Sequence, residues 1–306
     1  MVTVGDRRPT LDLRIRRRGE ARLEPGPDGR GDTIEGGHAS TTVPVSCDTA
    51  VVGVALPNGA AGAIDRYLDA ADKAVPGLIV GLHVAGSLAL GDYRPERSDI
   101  DVVAVVACEP DGAQRSLLAE VHRVVATRVD GPYLTAAAMG KDPSDVGPVA
   151  FHVDGRFEHG PCHEVSPVTW TILAEHAITV RGDAPSALGV RADREAVQAF
   201  GAANLAGYWA GWARAIAAVL EGAADDDTME TQMLEWGVLG AARVHCAATT
   251  GAVVSKLDAG SYALRTFGTE WHHVIELATS SRRGDLDEVR VGDLRRACAF
   301  VRSISG

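Results

Sequence analysis

The stretch HVAGSLALGDYRPERSDIDVVAVV, residues 83–106, decides how this chain is read. An apolar run stops at Gly86-Ser87, crosses a charged loop, and re-enters a second apolar run through two aspartates one residue apart. Residues 78–84 and 100–106 are rich in branched apolar side chains and read as strands, with residues 86–97 as the turn-rich link between them. Residues i and i+2 of a strand share a face, so Asp99 and Asp101 project two carboxylates side by side while Ile100 turns into the core. Such a pair suits Mg²⁺, a hard ion that takes one or two carboxylates and fills its remaining positions with water and phosphate oxygens. Gly86 has no Cβ and lets the backbone approach a phosphate closely, and Ser87 adds a hydroxyl donor. Taken singly, Gly-Ser is a common turn and Asp-x-Asp a common solvated strand end. In this order they predict a strand–turn–strand grip on a metal–triphosphate.

Working outward, Ala61, Ile64, Leu68, Ala71 and Val75 recur at helical steps until Pro76-Gly77 ends the pattern, so an amphipathic helix leads into the stretch. Beyond it, Leu117, Leu118, Val121, Val124 and Val125 share a helical face with Asp111 as N-cap, and a further strand is expected near 128–135. Helix, strand, strand, helix, strand makes a domain with a small mixed sheet at 55–150. After a Ser166-Pro167 helix start and a short strand at 178–181, the pattern turns almost wholly helical, with helices at 193–221, 229–250, 257–267, 270–281 and 291–304. Asp227 with Glu230 resembles a capping box, and Gly251 sits where a C′ glycine belongs. The expected fold class is α+β, a mixed-sheet domain followed by an α-helical bundle at 151–306. Residues 1–50, rich in charge, Pro and Gly but poor in large apolar groups, read as a disordered extension.

Composition narrows the functions open to such a chain. A net charge of −11 argues against a broad nucleic-acid surface and favours a cationic small molecule as partner. Five scattered cysteines read as reduced thiols in a cytoplasmic protein, and neither a secretion signal nor a membrane span is expected. His152, Cys162 and His163 in FHVDGRFEHGPCHE lack the paired spacing of a zinc site. Trp209, Trp212 and Trp236 are expected to pack the bundle.

The ordered motif GSLALGDYRPERSDIDVVAVV resembles the signature of the DNA-polymerase-β-like nucleotidyltransferases, and WGVLGAARVHCAATTGAVVSKLDAGSYAL, residues 236–264, resembles the helical domain of the aminoglycoside (3″)/(9) adenylyltransferases. The combined resemblance spans roughly residues 60–300. It implies ATP as co-substrate, Mg²⁺ held by Asp99 and Asp101, a phosphate turn at Gly86 and Ser87, and a nucleotide contact from Lys256. The family's general base is a glutamate on a later strand, and TRVDGPYLT puts Asp130 there, one methylene shorter and followed directly by Gly131-Pro132. Asp130 is then either the base or a turn residue ahead of Gly-Pro. The implied reaction is AMP transfer from ATP to a hydroxyl of a streptomycin- or spectinomycin-type antibiotic, with pyrophosphate released, conferring resistance. Alternatives are a protein- or RNA-directed nucleotidyltransferase of the antitoxin kind and a nucleotide-binding module without turnover. Acidic residues outnumber basic ones over 150–306, which suits an acidic cleft between the domains, and Glu230 and Glu235 are the expected readers of a cationic substrate.

Overall fold

A computed structural model of the protein describes residues 56–306 apart from Glu96 and Thr127, and the extension expected at 1–50 lies outside the described residues. Helix α1 (Asn58–Ala74) packs Ile64, Tyr67, Leu68 and Ala71 inward and delivers the chain to β1 (Ile79–Val84). A short helix α2 (Gly86–Ala89) begins at Gly86 itself, and the charged loop returns the chain to β2 (Ile100–Val106). Asp111 caps α3 (Gly112–Val124) through a full capping box with Gln114, as its position suggests. Strand β3 (Val129–Thr135) then runs parallel to β2, with Asp101 beside Asp130 in register.

Gly131-Pro132, read from the sequence as a turn signal, lies instead inside β3. The β2–β3 ladder pairs Asp101 with Asp130 and resumes at Ala104 with Tyr133. Pro132 has no N–H to donate, so the interruption falls where the strand can tolerate it. Gly131 adopts φ +150° and lies so close to β2 that a Cβ would stand 1.7 Å from the Val102 carbonyl oxygen. Asp130 is thereby a strand residue with 4% of its surface exposed.

The sheet does not end at residue 150. After α4 (Ala136–Met139) come β4 (Val149–Val153) and β5 (Arg156–Gly160), joined by a two-residue Asp154-Gly155 turn with both residues at positive φ. Helix α5 (Pro167–Glu175) follows, capped by Ser166, and β6 (Ile178–Arg181) adds to the far edge. The six strands run in the order β5-β4-β3-β2-β1-β6, antiparallel except for β2 and β3. One face packs against α1 and α3, and the other carries Val103, Val105, Leu134, Phe151 and, from α5, Trp170 and Leu173. The sheet thus takes in β4, β5 and β6, beyond the residue 150 at which the sequence reading divides the chain.

The helical half consists of α6 (Arg194–Asn204), a π-helical segment at Leu205–Trp209, α7 (Ala210–Val219), α8 (Gln232–Thr250), α9 (Lys256–Thr266), α10 (His272–Arg283) and α11 (Val291–Ile304). Trp209 and Trp212 are buried with Leu234, Val238, Leu239 and Phe300 in its core, and Trp236 packs against it, as expected. Gly251 ends α8 in the left-handed conformation, again as expected. The capping box drawn at Asp227 and Glu230 is absent. Residues Thr228–Glu230 form strand β7, paired with β8 (Glu288–Arg290), because Met229 and Val289 bury themselves while their neighbours stay in solvent. Asp227 accepts instead from the Ala224 N–H, and α8 starts only at Gln232. Among the described residues no helix is long and apolar enough to cross a membrane.

Candidate active site

A cleft of about 960 Å³ lies between the sheet and the helical half, lined on one side by Gly86, Ser87, Asp99, Asp101, Asp130 and Asp154, and on the other by Tyr208, Trp236, Arg243 and Lys256. The Gly86 turn is built against Asp101. At φ +54° Gly86 lies over the carboxylate, and a Cβ there would stand 1.8 Å from Asp101 Oδ2. The Ala85 N–H donates to the Asp101 carbonyl at 2.8 Å, tying the end of β1 to the start of β2. Ser87 Oγ is buried at the cleft wall without a hydrogen-bond partner.

Asp99 precedes β2, its side chain half exposed, with Arg128 Nε 3.6 Å from its Oδ1. The surrounding protein first, and the neighbouring Asp130 carboxylate second, hold its carboxyl above the usual range. Asp130 is fixed through Oδ2, which accepts from the Asp154 N–H at 3.2 Å. Its Oδ1 stands 2.9 Å from His152 Nδ1 but has no hydrogen bond of its own. Among the described residues no three His, Cys, Asp or Glu groups are placed to hold a metal by themselves.

Lys256, the first residue of α9, lines the cleft on the helical side. Its Nζ lies 3.0 Å from Glu235 Oε1 and 5.4 Å from the centre of the Trp236 ring. Burial lowers its pKa, the charges of Arg282 and Arg243 add to that, and Glu235 opposes them. Glu235 itself is 6% exposed and ringed by Lys256, Arg282 Nη1 at 3.3 Å and Arg97 Nη2 at 3.6 Å. Burial alone would raise its pKa, but these cations outweigh it and the carboxyl lies below the usual range. Glu235, expected to read a cationic substrate, thus has its carboxylate already engaged by the protein's own cations. Glu230 does line the cleft, but from strand β7 beside Glu288, not from a helix.

One ion-pair network joins the two halves at this point. Arg282 is 3% exposed, places Nε 3.3 and 3.2 Å from the two oxygens of Asp92, and reaches Glu235 with Nη1. Asp92 in turn donates its N–H to the Ser87 carbonyl at 2.9 Å and accepts from the Leu257 N–H at 3.4 Å. The Gly86-Ser87 turn and the start of α9 are thus linked through the buried Asp92–Arg282 pair.

Two family models match the chain, each over one side of this cleft. The nucleotidyltransferase domain matches residues 64–131, the segment that carries Gly86, Ser87, Asp99, Asp101 and Asp130. The C-terminal domain of aminoglycoside adenylyltransferase matches residues 200–305, which carry Glu230, Glu235 and Lys256. The chain is an aminoglycoside adenylyltransferase-like nucleotidyltransferase. Among solved structures it is similar to a spectinomycin adenyltransferase, AAD(9), from Enterococcus faecialis, crystallised with ATP and spectinomycin. That likeness covers 80% of this chain and 98% of the other at a TM-score of 0.58 and 13% identity, and it shows a shared fold. No curated protein matches the chain.

Several residues of this nucleotidyltransferase site were not singled out from its sequence. Asp92 and Arg97 sit inside the opening stretch, where they read as loop charge. Arg282 belongs to SSRRGD, which reads as basic residues at a helix end. Arg243 lies inside the segment that resembled the family without being singled out. Asp154 was findable, because Asp-Gly directly after the apolar run at 149–153 is a hairpin-turn signal.

Proposed function

We infer that this enzyme transfers AMP from ATP to a hydroxyl of an aminoglycoside or aminocyclitol antibiotic of the streptomycin or spectinomycin type, releasing pyrophosphate, and thereby confers resistance. The observation that carries the reading is the seating of Gly86 on the Asp101 carboxylate, opposite Lys256, in one cleft. That arrangement fits a metal-bound triphosphate. The Gly86 cradle excludes any side chain, the orphaned Ser87 Oγ supplies a donor for a phosphate oxygen, and two carboxylates supply hard ligands.

Asp99 and Asp101 would hold Mg²⁺, which when bound stabilises negative charge on the attacking and leaving oxygens. Gly86 and Ser87 receive the phosphates. Lys256, with Arg243 beside it, sets positive charge against the departing pyrophosphate. Asp130, which lines the cleft, serves as general base and takes the proton of the antibiotic hydroxyl. Glu235 orients Lys256, and Glu230 with Glu288 gives the mouth of the cleft the negative charge that suits a cationic substrate.

The test is Asp101→Asn, which keeps the side-chain size and removes a charge. Pyrophosphate release from ATP, Mg²⁺ and antibiotic should fall by about 100-fold or more while the melting temperature holds. Near-normal turnover with unchanged Mg²⁺ dependence would show that the metal is held elsewhere.

A further inference from the structure

Behind Asp130 lies a buried polar network that the reading above does not use. His152, on β4, is 2% exposed and does not line the cleft. Its Nδ1 lies 3.0 Å from the Val129 carbonyl and 2.9 Å from Asp130 Oδ1. A carbonyl oxygen only accepts, so Nδ1 carries the hydrogen and donates it to Val129. Asp130 Oδ1 is left beside the positive edge of that N–H but off its line, with no hydrogen bond.

The orientation of His152 is set by a second histidine. His122 stacks on it with ring centres 4.0 Å apart and planes 13° from parallel. His122 Nδ1 faces the Ala126 carbonyl at 3.3 Å, so this nitrogen too is the donor and Nε2 the acceptor. Nε2 then accepts from the Tyr133 hydroxyl at 2.7 Å, and Tyr133 accepts from Tyr67 at 2.7 Å. The chain runs one way, from Tyr67 through Tyr133 and His122 to the Ala126 carbonyl, and leaves His122 no alternative tautomer. Burial first, and the neighbouring His152 ring second, push the His122 pKa down to about 3, so it stays neutral.

By strand alternation His152 belongs to the α1/α3 side of the sheet and Asp130 to the cleft side. Gly131, the register partner of His152, adds no side chain between them. The Asp130 carboxylate is thus bracketed, Oδ2 by the Asp154 N–H and Oδ1 by His152.

Resting on the reading of Asp130 as base, we propose that His152 is its positioning residue: held by the stack on His122, it packs against the buried Oδ1 and fixes the plane of the carboxylate so that Oδ2, on the side of the cleft-lining Asp154, faces the substrate hydroxyl. An aspartate has one rotatable bond fewer than a glutamate with which to find the hydroxyl. A carboxylate hydrogen-bonded at Oδ2 and packed against His152 at Oδ1 compensates, since displacement of a reacting group by even an ångström slows the chemical step.

The experiment compares Asp130→Asn, His152→Phe and His152→Asn in the full chain, with turnover read as pyrophosphate release from ATP and Mg²⁺ with streptomycin or spectinomycin, and ATP affinity by calorimetry. His152→Phe keeps a ring on His122 and removes the N–H. It should lower kcat about 10- to 100-fold and leave ATP affinity and KM unchanged. His152→Asn places an amide N–H near the Nδ1 position and should restore kcat to within about 3-fold of wild type. Asp130→Asn should cost about 100- to 10,000-fold. If His152→Phe does not fold, His152→Asn decides alone, and a loss as large as that of Asp130→Asn overturns the proposal. Wild-type kcat in His152→Phe beside an inactive Asp130→Asn overturns the role of His152 and leaves the base standing. Unchanged turnover in Asp130→Asn, or no turnover by the wild type with either antibiotic, overturns both.

Discussion

Replacing Arg282 with Met isolates the network that joins the two halves. The guanidinium is the only group within 3.3 Å of the Asp92 carboxylate among the described residues; what remains after its loss is the Leu257 N–H at 3.4 Å and Arg94 at 3.8 Å. Glu235 loses one cation of three and keeps Lys256 and Arg97. The cost is therefore dominated by one buried carboxylate, Asp92, left nearly uncompensated. Breaking a buried pair in this way costs about 3–5 kcal/mol. At roughly 2–4 °C per kcal/mol for a domain of this size, the melting temperature should fall by about 6–20 °C. Adding Asp92→Asn to Arg282→Met removes the stranded charge and should recover at least half of the loss, because paired residues are not additive. Differential scanning calorimetry of the two single variants and the double variant measures this. A fall of under about 2 °C in Arg282→Met, or a double variant no better than the single, would refute the assignment of Arg282 as the buried link.

Two further outcomes follow from side-chain geometry. Gly86→Ala puts a Cβ where Asp101 Oδ2 lies and forces a left-handed φ on alanine; it should cost about 1–2 kcal/mol of stability but about 100-fold in Mg²⁺-dependent transfer, checked by calorimetry and pyrophosphate release. His83 is fully buried, with Nε2 unpartnered, and burial pushes its pKa down to about 4 from 6.5. Between those values the unfolded chain binds a proton that the folded chain refuses, so this contribution to stability is full above pH 6.5 and falls as pH drops toward 4, and His83→Leu should make the fall in melting temperature across that window shallower, with His122 keeping its own share.

The opening stretch made one wall of the cleft legible because its residues are local in sequence. Gly86, Ser87, Asp99 and Asp101 lie on two strand ends joined by one loop, and alternation alone puts the two aspartates on one face. The helices of the second half were equally readable from their periodicity, to within a few residues at each end. What escaped depends on contacts distant in sequence. Gly131-Pro132 carries a strong turn signal locally, yet the close approach of β3 to the Val102 carbonyl makes it strand. Glu235 looks like a substrate carboxylate until Arg282, 47 residues on, is folded against it. Strand β7 escaped because three residues, only one of them buried, carry too short an alternation to compete with a capping pattern.

The most direct measurement is the mass of the antibiotic after incubation of the purified full chain with ATP and Mg²⁺, with streptomycin and spectinomycin assayed separately. The account predicts that one of them gains the mass of a single AMP group, with one pyrophosphate released per molecule modified, and that Asp101→Asn abolishes the gain. An unmodified antibiotic alongside AMP attached to protein or RNA would contradict it.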